Sequence, residues 1–300
     1  MRTARPSLLA LGTAVALALG VAACNKDGST APATPVLSQV QAESLAKTVV
    51  ADVAGEIATA TMDGANGVVA TAPVDASAPA GSSTATQCIP AKSPTPVTDA
   101  DNDGVPDSVR FDYSGCVISR PLSIDSLSGT IDLIDPTKAT ADHAVERVFT
   151  DFKRVTVNLI SGAKSSVTDN GQRMASHDGT ILRSSETNFR TDYVYANGYS
   201  AEHVRTWESI FTADVAGSIM PNAVLPSGTW SVNGTSSWTR GQNSYSLTVT
   251  TNPALHYNAS CTNAPRFDAG KITAVVVRNS KTMTVTIEFT ACGVYTVTRS

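Results

Sequence analysis

The chain has 300 residues, 42% of them hydrophobic and 16% charged, with 22 Lys and Arg against 26 Asp and Glu for a net charge of −4. The basic residues are scattered singly, which argues against a nucleic-acid partner, because phosphate backbones are met by clustered Lys and Arg. A chain of this length can bury a sizeable core, and its wealth of Ser, Thr, Ala, Val and Gly suits sheet surfaces better than charged helices.

At the start of the chain, Arg2 and Arg5 precede an apolar run from Leu8 to Val21 that closes on Val21-Ala22-Ala23-Cys24. The run is short for a permanent membrane span and ends in small residues, the pattern of an export signal. It resembles the signal peptide and lipobox of bacterial lipoproteins of uncharacterised function. The resemblance implies loss of residues 1–23, a diacylglycerol on the Cys24 thiol and acylation (palmitate, for example) of the new amine. Two or more acyl chains anchor a protein stably, at about 0.8 kcal/mol per buried methylene. Asn25 stands where an aspartate acts as an inner-membrane retention signal in enterobacterial lipoproteins. The implied location is therefore the cell envelope, on an outer membrane, facing the periplasm or the cell surface.

Residues 24–36 are polar and proline-bearing and read as a tether between lipid and body. Leu37, Val40, Leu45, Val49, Val53 and Ile57 then recur at helical spacing, which predicts an amphipathic helix over 37–63 that packs on the body. Residues 64–87, dominated by Ala, Ser, Thr, Pro and Gly, read as a low-complexity linker.

From Cys88 to the end, period-two alternation predicts one mainly β domain over 88–300, an antiparallel meander whose closure as barrel, half-open barrel or sandwich is left open. In its best segment, Lys271 to Phe289, a turn at Asn279-Ser280 pairs Val276 with Met283 and Ala274 with Val285 on one apolar face. Asn-Gly or Asp-Gly pairs at 170-171, 178-179, 197-198 and 233-234 predict further hairpins. The last would set Trp230 and Trp238 on opposite faces.

Cys88, Cys116, Cys261 and Cys292 make an even set in an exported chain, which reads as two disulfides with three possible connectivities. Val109, Phe111, Tyr113 and Cys116 repeat the spacing of Val285, Ile287, Phe289 and Cys292. That repeat, with sequence separations of 28 and 31, favours local pairing of Cys88 with Cys116 and Cys261 with Cys292, each worth about 3 kcal/mol on a chain-entropy basis.

One segment has ligand-like spacing: Asp99-Ala-Asp101-Asn-Asp103-Gly104-Val-Pro-Asp107, within a candidate calcium loop at 99–110. Acids at alternate positions, with glycine at the sixth, let a short loop surround a hard cation. These nine residues resemble the calcium loops of thrombospondin type 3 repeats. The resemblance assigns side-chain oxygens of Asp99, Asp101 and Asp103, the carbonyl of Val105, and Asp107 directly or through water. Arg110 stands where an EF-hand carries a bidentate glutamate, so a structural Ca²⁺ is expected rather than a sensor.

Enzymatic signatures are poor. Ser44-x-x-Lys47 and Ser161-x-x-Lys164 match S-x-x-K without the accompanying S-D-N or K-T-G, and no G-x-S-x-G, H-E-x-x-H or P-loop occurs. The expected function is a lipid-anchored, non-catalytic binding or structural module, with a protein or an apolar small molecule as possible ligand. A periplasmic carrier would show an apolar cavity above roughly 300 Å³. An envelope hydrolase would cluster His143, His177, His203 or His256 with acids and a serine.

Overall fold

A computed structural model describes residues 37–64, 88–140, 142–220, 224–241 and 243–300. Cys24, the 24–36 tether, the side chain of Ile57 and the linker beyond Gly64 lie outside the described residues. A helix, α1 (Gln39–Gly64), precedes fourteen strands: β1 (Ala91–Ser93), β2 (Ser108–Asp112), β3 (Cys116–Arg120), β4 (Ser123–Ile134), β5 (His143–Asn158), β6 (Lys164–His177) and β7 (Ile181–Val194), then β8 (Ser200–Ala213), β9 (Gly228–Arg240), β10 (Asn243–Thr251), β11 (Leu255–Tyr257), β12 (Phe267–Arg278), β13 (Lys281–Ala291) and β14 (Val294–Arg299). They form one antiparallel sheet in the order β1-β2-β4-β5-β6-β7-β8-β9-β10-β12-β13-β14, with β3 beside β4 and β11 between β9 and β12. The expected antiparallel meander preceded by a helix is what the chain adopts.

Where turn chemistry and apolar alternation agree, the expected register holds. Asn279 and Ser280 take φ of 51° and 59°, as a two-residue hairpin turn requires. Ala274 faces Val285 and Val276 faces Met283. Asp178-Gly179 and Asn197-Gly198 likewise join β6 to β7 and β7 to β8.

Two expected hairpins are corrected. Asn170-Gly171 lies inside β6 and Asn233-Gly234 inside β9. At both places the glycine lets a neighbouring backbone come close: a Cβ on Gly171 would crowd Phe189, and one on Gly234 would run into Thr206 and Trp207. Register shifts at Ser128/Thr130, Phe149/Phe152, Asn170/Gln172 and Glu186/Phe189 place bulges side by side across β4 to β8. Asp151 and Asn188 take positive φ in this row, and Asp151 N donates to Asn170 Oδ1 at 2.8 Å. Aligned bulges bend β4 to β8 at one level, so Asn170-Gly171 forms part of a crease, and Asn233-Gly234 a close approach to β8, rather than turns. Because β9 runs through, Trp230 and Trp238 are separated by an even number of strand residues and share its inner face, which corrects the expected opposition.

The hollow of the bent sheet holds α1. Its backbone lies close to β5, β6 and β7 at one side and to β13 and β14 at the other. Over the central strands, Trp207, Phe211, Trp230, Leu247 and Ile272 complete one core with Leu45, Val49 and Val53. The helix starts with a reciprocal cap: Gln41 N donates to Ser38 Oγ at 3.3 Å and Ser38 N donates to Gln41 Oε1 at 2.8 Å. Ala42, Leu45, Ala46, Val49, Val50, Val53 and Glu56 form the buried stripe. Val40, expected in that stripe, is exposed. Two residues before Ala42 it points about 200° away around the helix.

A second core lies at the other end of the same face, built from Val105, Val109, Phe111, Tyr113, Ile131, Leu133 and Val145. Cys116 belongs to this second core, with Cys88 packed against it. Cys88 and Cys116 are at disulfide distance with Cα atoms 5.2 Å apart, and Cys261 and Cys292 with Cα atoms 5.6 Å apart, the two local pairs expected.

Candidate metal centre

The 99–107 loop is wound by its own carboxylates. Asp99 accepts from Asn102 N at 2.8 Å through Oδ1 and from Gly104 N at 3.1 Å through Oδ2. Asp101 Oδ1 accepts from Asp103 N at 3.2 Å, and Asp103 Oδ1 accepts from Val105 N at 2.7 Å. Asn102 at φ 62° and Gly104 at φ 91° supply the left-handed residues that such a wrap needs. The base is closed by Asp107, whose Oδ1 accepts from Ala100 N at 2.9 Å and whose own amide donates to Thr98 O. Val105 is fully buried in the second core, so the loop is pinned at its far end.

This winding sorts the carboxylate oxygens into two sets. One oxygen each of Asp101 and Asp103 is spent on the loop backbone, while their Oδ2 atoms are buried without a hydrogen-bond partner. Ligand oxygens of Asp99, Asp101 and Asp103 lie within 4.8 Å of one another, close enough to share one ion. Asp107 is not in that group; its carboxylate latches the base.

The fold places a further buried acid beside the loop. Asp135, in the β4–β5 connection, is 2% exposed and leaves its Oδ2 unpartnered. Its backbone N donates to Asp107 O at 3.3 Å, and its Oδ1 accepts from Thr137 N at 2.7 Å. Burial pushes the Asp103 carboxyl above its ordinary pKa and the charges of Asp101 and Asp135 add to this, opposed by the Val105 amide and by His143. His143 Nδ1 lies 3.9 Å from Asp103 Oδ2, and His143 faces His177 across β5 and β6 with ring centres 4.7 Å apart. Burial and His143 together lower the His177 pKa. Nothing in the spacing around Asp135 could single it out, since β4 separates it from the loop.

The donor set suits a hard cation. Three buried carboxylate oxygens without a hydrogen bond, only one of them near a histidine nitrogen, would be costly, because an ionised group out of water needs a partner. Oxygens of Asp99, Asp101 and Asp103 could share one ion, with the Val105 carbonyl as the motif assigns and Asp135 beside them, which suits calcium's preference for many oxygens in a flexible shell.

A belt of buried charge separates the two cores. Glu186, 3% exposed, contacts Arg173 Nε at 2.7 Å and Arg205 Nε at 2.9 Å. Both guanidinium groups lie over the Phe189 ring, at 4.0 and 5.3 Å. From the helix, Glu56 accepts from Ser184 Oγ at 2.8 Å, and Ser184 Oγ lies 2.7 Å from Ser209 Oγ. Burial lifts the pKa of Glu56, with the Glu186 charge second. A cavity of about 160 Å³ between α1 and β6–β8 is lined by Asp52, Glu56, Arg173, Glu186, Arg205 and Trp207. It is polar, and about half the volume expected of an apolar carrier.

Comparison with family models, with curated proteins and with solved structures finds no match for this chain.

The four histidines fall in three settings. His143 and His177 flank the acidic loop. His203 is stacked on Trp238 at 4.0 Å, and burial, helped by Arg205, pushes its pKa down to about 3. His256 lies between carboxylates, with Nδ1 2.6 Å from Asp268 Oδ1 and Nε2 3.3 Å from Asp214 Oδ2, which raises its pKa. Ser44 and Lys47 belong to α1, while Ser161 and Lys164 stand at the β5–β6 turn.

Proposed function

We propose that this protein is a lipid-anchored binding or structural module of the cell envelope, non-catalytic, whose body is braced by one calcium ion. The observation that carries the calcium is the grouping of Asp99, Asp101 and Asp103 oxygens within 4.8 Å of one another, with the Oδ2 atoms of Asp101 and Asp103 buried and unpartnered and the buried Asp135 close enough to raise the Asp103 pKa. The lipid anchor rests on the run from Leu8 to Cys24 in the sequence. The ion would tie the 99–107 loop to the β4–β5 connection and so hold the second core's open end. Within this reading, the charged lining of the cavity under α1 favours a small polar ligand over the apolar cargo of a carrier.

Calcium binding to the folded state alone stabilises it by RT ln(1 + [L]/Kd), about 2.7 kcal/mol at a hundredfold excess over Kd. The melting temperature therefore rises in millimolar calcium and falls in chelator. Magnesium does much less, because it holds its water and prefers a rigid octahedron. Asp135→Asn reduces the calcium response, as does Asp101→Asn with Asp103→Asn. Equal melting of the wild-type protein in calcium and chelator would sink the metal reading. The anchor is tested separately, by loss of labelled-lipid incorporation in Cys24→Ser.

A further inference from the structure

The two ends of the sheet differ in chemistry. At one end lie the turns β3–β4, β5–β6, β7–β8, β9–β10 and β12–β13. The charged residues in these turns or directly flanking them are Arg120, Lys164, Arg240, Arg278 and Lys281, all basic. At the other end, the loop before β2 and the connections β4–β5, β6–β7, β8–β9 and β11–β12 carry Asp99, Asp101, Asp103, Asp107, Asp135, Asp142, Asp178 and Asp214 against the basic Lys138 and Arg266. The body is thus polarised along its strands.

The basic rim is also where apolar side chains stand in water. Leu122 is 60% exposed, Leu159 52% and Ile160 78%. They form one patch, because Leu159 N donates to Leu122 O at 2.9 Å and holds two hairpin tips together. Tyr199 is exposed at the next turn, where Arg240 lies over the Tyr195 and Tyr199 rings at 5.2 and 5.7 Å. Turn tips are ordinarily polar, so apolar tips set among cations mark a contact surface.

We propose that this rim docks on an anionic lipid bilayer, with Leu122, Leu159 and Ile160 entering the headgroup region and the basic residues meeting lipid phosphates. Charge complementarity selects this occupant: the nearest acids, Asp125, Asp192 and Glu202, sit two residues in from the turns and are engaged by Arg120 or Arg190, while Lys164, Arg278 and Lys281 bring further positive charge to the turns themselves. The tips of a meander lie along one arc, which suits a flat partner. The acidic rim, with its metal loop, would then face away from a surface that repels it. The inference goes beyond the anchor and does not depend on it, although a lipid at Cys24 would hold the rim close, since residues 24–36 span at most about 45 Å.

The test uses the full chain in a Cys24→Ser background, which leaves an introduced thiol as the only free one outside the disulfide pairs. An environment-sensitive fluorophore is placed at Ile160→Cys, or at Ala139→Cys on the acidic rim as control. With phosphatidylcholine vesicles containing phosphatidylglycerol, the label at 160 shifts to the blue and is quenched by spin-labelled lipid, whereas the label at 139 behaves as in water. Lys164→Ser with Lys281→Ser weakens vesicle binding roughly 25-fold, on about fivefold per basic residue at an anionic surface. Equal responses at 160 and 139, or no response at 160, overturn the proposal. Because no lipid is attached in this background, failure here is separate from failure of the anchor reading.

Discussion

Asp52 offers a direct test of how α1 is held. It faces the charged belt from the helix, and its pKa is lifted from 3.8 to about 6 by burial, with Arg205 pulling down and Glu186 pushing up. Below pH 3.8 the group is protonated in both states and contributes nothing. As pH rises, the unfolded chain releases the proton near 3.8 while the folded protein keeps it to about 6, so stability falls across that window and then levels off. The full separation corresponds to about 3 kcal/mol at 1.36 kcal/mol per unit. Asp52 is only half-buried at the cavity wall, and screening reduces this to about 1–2 kcal/mol. Asp52→Asn should therefore match the wild-type protein at pH 4 and exceed it by that amount at pH 7. Urea unfolding at pH 4, 5, 6 and 7 reads the difference. A variant less stable at pH 7, or a gap that does not widen between pH 4 and 6, would refute the reasoning.

Glu186→Gln removes the carboxylate between Arg173 and Arg205 and should cost about 3–5 kcal/mol, the range for breaking a buried pair; a loss under about 1 kcal/mol in denaturant melts would show that the belt is solvated. Val49→Asp should strongly destabilise the protein while Val40→Asp changes little, because only Val49 faces the sheet; similar thermal melts for the two would mean that α1 is not docked as described. Gly129→Ala should cost well over 1 kcal/mol, since its Cβ would meet the Asp151 backbone, whereas Gly104→Ala has open space and bears only the backbone strain of φ 91°, about 1 kcal/mol. Equal costs would contradict the crease.

Apolar alternation and turn chemistry made much of this fold legible in the amino-acid sequence. The β12–β13 register could be read because both determinants agree there, and the local cysteine pairs because each follows the same strand pattern. The wound acidic loop was legible for a similar reason: every interaction that shapes it lies within nine residues. Asn170-Gly171 and Asn233-Gly234 mark the limit of such reading. An Asn-Gly pair permits positive φ or close backbone approach, and only the neighbouring strands decide whether that freedom makes a turn or a crease.

Distance along the chain hid the rest. Asp135 comes beside the acidic loop only because β4 pairs with β2 and returns its end there. The Glu186, Arg173 and Arg205 cluster exists because β6, β7 and β8 are adjacent and bent over α1. The polarity of the rims also depends on the meander, which sends alternate turns to opposite ends. Local sequence sets what each segment can form; long-range strand pairing, whose loop-closure cost is offset only by burial of the whole inner face, decides which residues meet.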